Sequence, residues 1–192
     1  MIAIIKYNAG NIKSVENTIN RLGYSCIITN DKREILQADK VIFPGVGEAS
    51  SAMKYLKENN LDQLIKELRQ PVLGICLGLQ LMCKTTEEGN TIGLGIFDTA
   101  VKKFPPDDIV PHMGWNNFVN IGSALFNGIE VTDNFYYVHN YYAELCKQTI
   151  GTCKYIISFS AALQKDNFYA TQFHPEKSAG NGERLLNNFL KL

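Results

Sequence analysis

The sequence predicts an α/β fold, in which a mostly parallel central sheet carries helices on both faces and an additional β-rich segment follows. Three features of the 192-residue chain lead to this prediction. Short apolar runs alternate with helical periodicity through the first half, glycines flank a cysteine directly after one of those runs, and aromatic and β-branched residues dominate from about Ile92 onward. Buried strands connected by helices favour parallel pairing with helices on both sides of the sheet.

The part of the chain before residue 76 is predicted to contain four strands and three helices. The strands are short apolar runs that cover residues 2–5, 24–28, 41–43 and 72–75. Each helix shows an apolar stripe along one face. The stripes are Ile12, Val15, Ile19 and Leu22; Ala49, Ala52, Met53 and Leu56; and Leu61, Leu64, Ile65 and Leu68. Gly23 suits the C-cap of the first helix, and Pro71 ends the third.

From about Ile92 the chain is predicted to be β-rich, with turns at residues 105–108 and at Asn127-Gly128. One more helix is predicted over residues 178–190 at the end of the chain. Its apolar face comprises Leu185, Leu186, Phe189 and Leu190. No linker or internal repeat divides the sequence, so residues 1–192 are expected to form a single domain.

Composition argues against several classes of function. The formal net charge is zero, so no electrostatic feature favours nucleic acid or an anionic membrane. No apolar run approaches the roughly 18 residues of a membrane span, and the N-terminal apolar run is too short for a signal peptide. The five cysteines lack the spacing of a disulfide framework. Free thiols in a reducing cytoplasm are therefore expected.

The segment Gly74-Ile75-Cys76-Leu77-Gly78 has the pattern of a nucleophile elbow, with cysteine in the place of serine. The glycines allow a sharp turn beside the nucleophile. A helix that begins at Leu77 would point its N-terminal dipole at the sulfur and favour the thiolate. The alternative is a buried structural cysteine in a strand, because free cysteine commonly packs as a small apolar residue.

A cysteine nucleophile needs a base, and the base needs a group that orients it. Among the three histidines, His174 follows the apolar stretch 168–171, and a strand that ends there would bring it to the sheet edge that holds the elbow. Glu176 can accept a hydrogen bond from the imidazole and fix its tautomer. The sequence thus predicts a triad of Cys76, His174 and Glu176, whereas His112 and His139 could equally be ordinary hydrogen-bonded side chains.

The loop Pro44-Gly45-Val46-Gly47 follows the third predicted strand, and its glycines allow the backbone to approach a ligand closely. The backbone amides of Val46 and Leu77 are predicted to form an oxyanion hole. A plain strand-to-helix turn is the alternative. The phosphate-loop pattern G-x-x-x-x-G-K-[ST] is absent, and Cys76 and Cys83 are too far apart for a zinc motif, so neither a cofactor nor a metal is expected.

Three motifs together resemble the class I (Cys-His-Glu triad) glutamine amidotransferases. They are PGVG at 44–47, GICLGLQ at 74–80 and ATQFHPEKS at 170–178. The resemblance implies a three-layer, flavodoxin-like fold. It also implies a glutaminase in which Cys76 attacks the side-chain amide of L-glutamine and forms a thioester. The residues implied to bind glutamine are Gly47, Gln80, His139, Asn140 and Tyr141.

Further motifs resemble one branch of that family, the glutaminase subunits of imidazole glycerol phosphate synthases. They include AGNIKSV at 9–15, EEG at 87–89, PHMGWN at 111–116 and YYVHNYY at 136–142. The resemblance implies a heterodimer of histidine biosynthesis, in which an ammonia channel leads to a (β/α)₈-barrel cyclase. The residues implied at or near the contact are Asn11, His112, Met113, Trp115, Tyr136 and Lys177. Trp115 suits an interface anchor, although core packing is nearly as compatible with the sequence.

Two segments depart from the family pattern. Lys6-Tyr7-Asn8 stands where Asp-Tyr-Gly is common, and asparagine at position 8 is expected to preserve the turn because it tolerates left-handed backbone. Lys6 removes any ion pair that an aspartate would make there. Asn140 stands where serine is common, a change that is neutral if glutamine is bound through the backbone.

Two other functions share part of this pattern. A glutaminase subunit that serves another acceptor, of the anthranilate, purine or pyridoxal type, would keep the triad and have a different partner. A non-catalytic, flavodoxin-like binding module would keep the fold, with Cys76 merely buried. If the chain serves a synthase, it is expected to be a weak glutaminase alone, because the glycine-flanked Val46 amide could reorient when the partner and its ligand bind.

Overall fold

The computed structural model describes all residues, 1–192, as fourteen strands and six α-helices. The strands are β1 (Ile2–Ile5), β2 (Cys26–Thr29), β3 (Lys40–Phe43), β4 (Val72–Ile75), β5 (Cys83–Thr86), β6 (Thr91–Ile92), β7 (Phe97–Lys103), β8 (His112–Asn116), β9 (Asn120–Ile121), β10 (Phe135–His139), β11 (Tyr141–Ala143), β12 (Thr149–Tyr155), β13 (Ile157–Lys165) and β14 (Phe168–Thr171). The helices are α1 (Ile12–Arg21), α2 (Lys32–Gln37), α3 (Ala49–Glu58), α4 (Leu61–Glu67), α5 (Leu77–Met82) and α6 (Ala179–Leu190).

Twelve of the strands form one sheet, whose main path runs β2-β1-β3-β4-β14-β13-β11-β7-β5-β6. The run from β2 to β14 is parallel. Beyond β14 the pairing through β13, β11 and β7 is antiparallel. The predicted parallel core and β-rich second half are both confirmed. Because β14 lies directly beside β4, the segments that follow these two strands meet at one edge of the sheet.

Side-chain alternation along the strands divides the apolar interior into two clusters, one on each face of the sheet. In β1, Ala3 and Ile5 belong to one cluster, which packs against α3 and α4. Ile2 and Ile4 belong to the other cluster, which packs against α1 and α6. This arrangement gives the three layers that the α/β prediction requires. None of the helices is both long and apolar enough to cross a membrane.

The structure differs from the sequence-based prediction in three local respects. Helix α2 was not predicted, because only Ile35 on it is buried and its first turn depends on capping by Asp31, whose side chain accepts the Arg33 N–H at 2.8 Å. Strand β5 precedes the expected start of the β-rich segment at about Ile92. In the turn before α1, the left-handed residue is Asn11, with φ of 69°, rather than Asn8.

Helix α6 packs closely against the turn that carries the candidate base, and two of its glycines make that contact testable. A Cβ at Gly182 would lie 1.8 Å from the carbonyl oxygen of Pro175, whereas a Cβ at Gly180 would meet nothing within 4 Å. We expect Gly182→Ala to lower the free energy of unfolding by about 1–3 kcal/mol through overpacking. Gly180→Ala should leave it unchanged or raise it by up to about 1 kcal/mol. Urea unfolding of both variants measures the difference, and equal stabilities would contradict the packing.

Candidate active site

Cys76 lies between β4 and α5 in a strained turn, outside any strand. Its φ and ψ are 53° and −103°, values that cost a non-glycine residue about 1–3 kcal/mol. Backbone contacts hold the turn in place: the Cys76 N–H donates to the Thr171 carbonyl at 2.7 Å. A Cβ at Gly78 would lie 2.0 Å from the carbonyl oxygen of Phe43, which explains why the position after Leu77 needs glycine. The elbow geometry expected from the pentapeptide is present.

His174 and Glu176 form a buried pair in the turn after β14. The Nδ1–H of His174 donates to Oε1 of Glu176 at 2.7 Å, and both side chains are essentially inaccessible to solvent. The side-chain amide of Asn11 donates to the same carboxylate oxygen. The backbone N–H of His174 donates to the Tyr136 carbonyl at 2.9 Å, which fixes the position of the turn. Asn11 had been expected only at the partner contact, and its hydrogen bond to Glu176 joins that region to the triad.

The ring of His174 is polarised by its two neighbours. Burial disfavours the imidazolium, but the adjacent sulfur of Cys76 and the carboxylate of Glu176 outweigh burial and raise the pKa of His174 to about 10. Its Nε2 is buried and makes no hydrogen bond. The protonated ring can therefore pair with a thiolate and keep Nε2–H available as a proton donor.

Cys76 is one of the residues that line a cavity of about 180 Å³. All five residues predicted to bind glutamine line it, together with Glu88 and Val138, which were not predicted. The lining residues are Val46, Gly47, Cys76, Leu77, Gln80, Glu88, Val138, His139, Asn140 and Tyr141. Glu88 is the only carboxylate among them. It is held by the Ala49 N–H, which donates to Oε2 at 2.8 Å, and burial raises its pKa above the ordinary value.

The predicted oxyanion hole is closed in this structure. The Leu77 N–H donates to the carbonyl of Gly45 at 3.2 Å, so one of the two predicted donors is already occupied. The blocking carbonyl and the Val46 N–H belong to the same trans peptide unit and point in opposite directions. A flip of that peptide unit by about half a turn would release the Leu77 N–H. The Val46 N–H would then take the place of the Gly45 carbonyl, so that both N–H groups could point at one oxyanion.

Four of the residues expected at the partner contact lie close together near the triad. Met113 and Trp115, on β8, are 63% and 55% exposed. Tyr136 packs edge-on against Trp115 with ring centroids 6.0 Å apart, and the Lys177 Nζ lies 5.9 Å from the centre of the Tyr136 ring. Trp115 is therefore a surface residue, and core packing, the alternative for it, is wrong.

His112 is not on that surface. It is 3% exposed and stacks between Tyr137 and Tyr155, with ring centroids 4.8 and 4.0 Å away. Its Nδ1 lies 2.9 Å from Nε2 of His139, and Nδ1 of His139 lies 2.7 Å from the Tyr141 carbonyl. Because a carbonyl can only accept, His139 carries its proton on Nδ1 and accepts from His112. Two neutral, hydrogen-bonded imidazoles thus hold the Tyr141 carbonyl, which belongs to the backbone that lines the cavity.

The residues that depart from the family pattern lie outside the cavity or at its rim. Lys6 and Asn8 are exposed, and the Asn8 side chain donates to the Ser51 carbonyl at 3.2 Å. Asn140 is exposed and lines the cavity. None of the three alters the contacts between His174 and Glu176.

Comparison with known proteins identifies the family of this chain. The family model for class-I glutamine amidotransferases matches residues 3–192. The chain belongs to this family. A solved glutamine amidotransferase structure superimposes with a TM-score of 0.71 at 16% identity and covers 100% of the chain and 98% of its own length, which supports the fold.

Within the amidotransferase family, the similar curated proteins belong to one branch. The chain is 58% identical to the imidazole glycerol phosphate synthase subunit HisH of Bacteroides fragilis, over 100% of the chain and 99% of that protein. It is 44% identical to the HisH subunit of Pectobacterium atrosepticum with the same coverage. The chain is a glutamine amidotransferase of the HisH group, and this membership separates it from subunits that serve other acceptors and from a non-catalytic module.

Proposed function

We propose that this chain is the glutaminase subunit of an imidazole glycerol phosphate synthase, with Cys76 as its nucleophile, and that it works in the cytoplasm. The observation that carries the proposal is the buried pair of His174 and Glu176, hydrogen-bonded at 2.7 Å beside a strained cysteine that faces a small cavity. An amide carbon bound in that cavity would face a thiolate, and its nitrogen would face a protonated imidazole.

The first half of the reaction forms a thioester. The Cys76 thiolate attacks the side-chain amide carbon of glutamine, and the carbonyl oxygen becomes an oxyanion. The Nε2–H of His174 then protonates the amide nitrogen, the carbon–nitrogen bond breaks, and ammonia leaves. The carboxylate of Glu176 keeps the ring oriented and stabilises its charged form before the proton is transferred.

The second half of the reaction releases glutamate. Neutral His174 takes a proton from water, and the resulting hydroxide adds to the thioester carbon. The tetrahedral intermediate collapses, the carbon–sulfur bond breaks, and the Cys76 thiolate returns beside the imidazolium. Both halves of the reaction consist of additions, eliminations and proton transfers, so they require no oxidant, metal or cofactor.

The remaining cavity residues suit the amino-acid end of the substrate. The carboxylate of Glu88 can pair with the α-ammonium group, since it is the only acidic side chain that lines the cavity. Gly47 and Asn140 also line the cavity, and their backbone amides are the proposed partners of the α-carboxylate. The chemistry of this set selects a free amino acid over a peptide, because both charged ends must be matched.

The closed oxyanion hole supports a resting state with low activity. Each oxyanion donor is typically worth about 10²–10³ in rate. We expect the isolated chain to hydrolyse glutamine at least about a hundredfold more slowly than the complex with the cyclase and its nucleotide. Steady-state glutamate release, measured with and without both additions, tests this. Full turnover by the purified chain alone would contradict the gating.

A partner surface near the triad fits the same function. Met113, Trp115, Tyr136 and Lys177 combine exposed apolar area with a cation, and we propose that the (β/α)₈-barrel cyclase covers them in a heterodimer. An enclosed channel there would deliver ammonia before water protonates it. Copurification of a barrel subunit with the chain, and its loss on Trp115→Ala, is the expected result. If the Trp115→Ala variant still binds the barrel subunit, the contact must lie on another surface of the chain.

A further inference from the structure

Gln172 contacts the nucleophile, although it belongs to neither the triad nor the cavity lining. It is the first residue after β14, and its side chain is fully buried. Its Nε2 lies 3.6 Å from the sulfur of Cys76, and its Oε1 lies 3.1 Å from Nε2 of Gln80. A buried amide requires partners for both ends, and both ends of this amide find them in the active site.

The direction of the Gln172 amide follows from a backbone group. The Nε2 of Gln80 also lies 3.0 Å from the carbonyl of Tyr141, which can only accept a hydrogen bond. Gln80 must therefore direct its NH₂ group toward the Tyr141 carbonyl and toward Gln172. It follows that Gln172 presents its oxygen to Gln80 and its NH₂ group to the sulfur.

We propose that Gln172 is a second hydrogen-bond donor to the nucleophile, which stabilises the thiolate and aims it at the substrate amide. This inference rests on the proposed role of Cys76. As a thiol, the sulfur is placed to donate to the Val138 carbonyl at 3.9 Å. As a thiolate it can only accept, and a hydrogen bond to an ionised acceptor is roughly twice as strong as one to a neutral acceptor. Gln172 therefore favours the reactive form, both before attack and when the thioester collapses.

The test measures the sulfur directly and needs neither glutamine nor the partner. Cys76 of the full chain is alkylated with iodoacetamide at a series of pH values, and its modification is followed by peptide mapping. In Gln172→Met, the pH at which the rate is half-maximal should rise by about one unit, equivalent to a tenfold loss of thiolate. In Gln172→Glu, a carboxylate oxygen faces the sulfur and the rise should be larger.

Ser160→Ala is the control. Ser160, on β13, is also fully buried, and its hydroxyl donates to the Glu144 carbonyl at 2.8 Å without contacting the sulfur. The control should keep the alkylation midpoint of the unaltered chain. A midpoint that is unchanged in both Gln172 variants, or one that moves equally in Ser160→Ala, would overturn the proposal.

Two further measurements test the contact between Gln172 and the sulfur, one of them without any substitution. In the unaltered chain, the side-chain amide resonance of Gln172 should shift with the same pH midpoint as the alkylation of Cys76, and a resonance that does not move would refute the contact even if the variants fail to fold. In the complex, Gln172→Met should lower kcat about tenfold and change KM less than about twofold. The proposed function has its own test: it is contradicted if the Cys76→Ala variant still hydrolyses glutamine, whatever the Gln172 variants show.

Discussion

Replacing Cys76 with alanine should abolish glutamine hydrolysis and leave the ammonia-dependent activity of the synthase intact. The loss should reach at least about four orders of magnitude, because removing the nucleophile of a triad leaves only the modest catalysis of binding and orientation. Synthase activity with added ammonium salts should stay within about twofold, since the acceptor site is proposed to lie in the partner subunit. Glutamate release and imidazole product, measured on the same complex, separate the two effects.

The control for this variant is Cys26→Ala, which removes a partly buried thiol from β2, a strand remote from the cavity. It should hydrolyse glutamine at the unaltered rate. Hydrolysis that persists in Cys76→Ala would show that another group attacks the amide. A loss of ammonia-dependent activity in the same variant would show instead that the substitution disturbs the subunit contact.

Acid should destabilise the fold at pH values where the carboxylates are still ionised. Burial lowers the pKa of His112 from 6.5 to about 4, and burial, reinforced by the charges of neighbouring histidines, lowers that of His139 to about 3. Below pH 6.5 the unfolded chain therefore binds protons at both rings while the folded chain does not. Each histidine then lowers the free energy of unfolding by up to about 1.4 kcal/mol per pH unit until its folded pKa is reached.

Urea unfolding at pH 7.5, 6.5, 5.5 and 4.5 measures this dependence. His174 acts in the opposite direction between pH 7.5 and 6.5, where its raised pKa keeps it protonated in the folded chain while the unfolded chain is still gaining that proton. Below pH 6.5 it is largely protonated in both states, so the slope that belongs to His112 and His139 is read between pH 6.5 and 4.5. His112→Asn should remove about half of the slope whatever its effect on absolute stability. A stability that does not change between pH 6.5 and 4.5, or imidazole NMR signals that titrate near pH 6.5 in the folded chain, would contradict the neutral pair.

The parts of the site that the sequence predicted are those that local chemistry constrains. Gly78 is required by the close approach of the Phe43 carbonyl, and Glu176, two residues from His174, is close enough to accept from its Nδ1–H. The alternation of short apolar runs with helical stretches predicted the parallel strands, because buried strands connected by helices favour parallel pairing. Each of these signals is contained in a short stretch of chain, where the periodicity of burial or the geometry of a turn limits the choice of residue.

The features that were missed depend on contacts between distant parts of the chain. Gln172 and Asn11 lie 96 and 165 residues from their partners in the site, and nothing in their neighbourhoods indicates those contacts. Glu88 belongs to a motif noted for its resemblance alone, and its orientation depends on the start of α3. His112 was expected at or near the partner contact from the family resemblance alone, but two tyrosine rings enclose it.

The pairing of β4 with β14 has a consequence for the synthesis of the protein. These neighbours deliver the sulfur and the imidazole from segments separated by about half the chain. On the ribosome, the cysteine emerges long before the turn after β14 that carries its base, and until then the base cannot activate it. The subunit therefore cannot consume glutamine until β14 and the turn that follows it have been synthesised and have paired with β4.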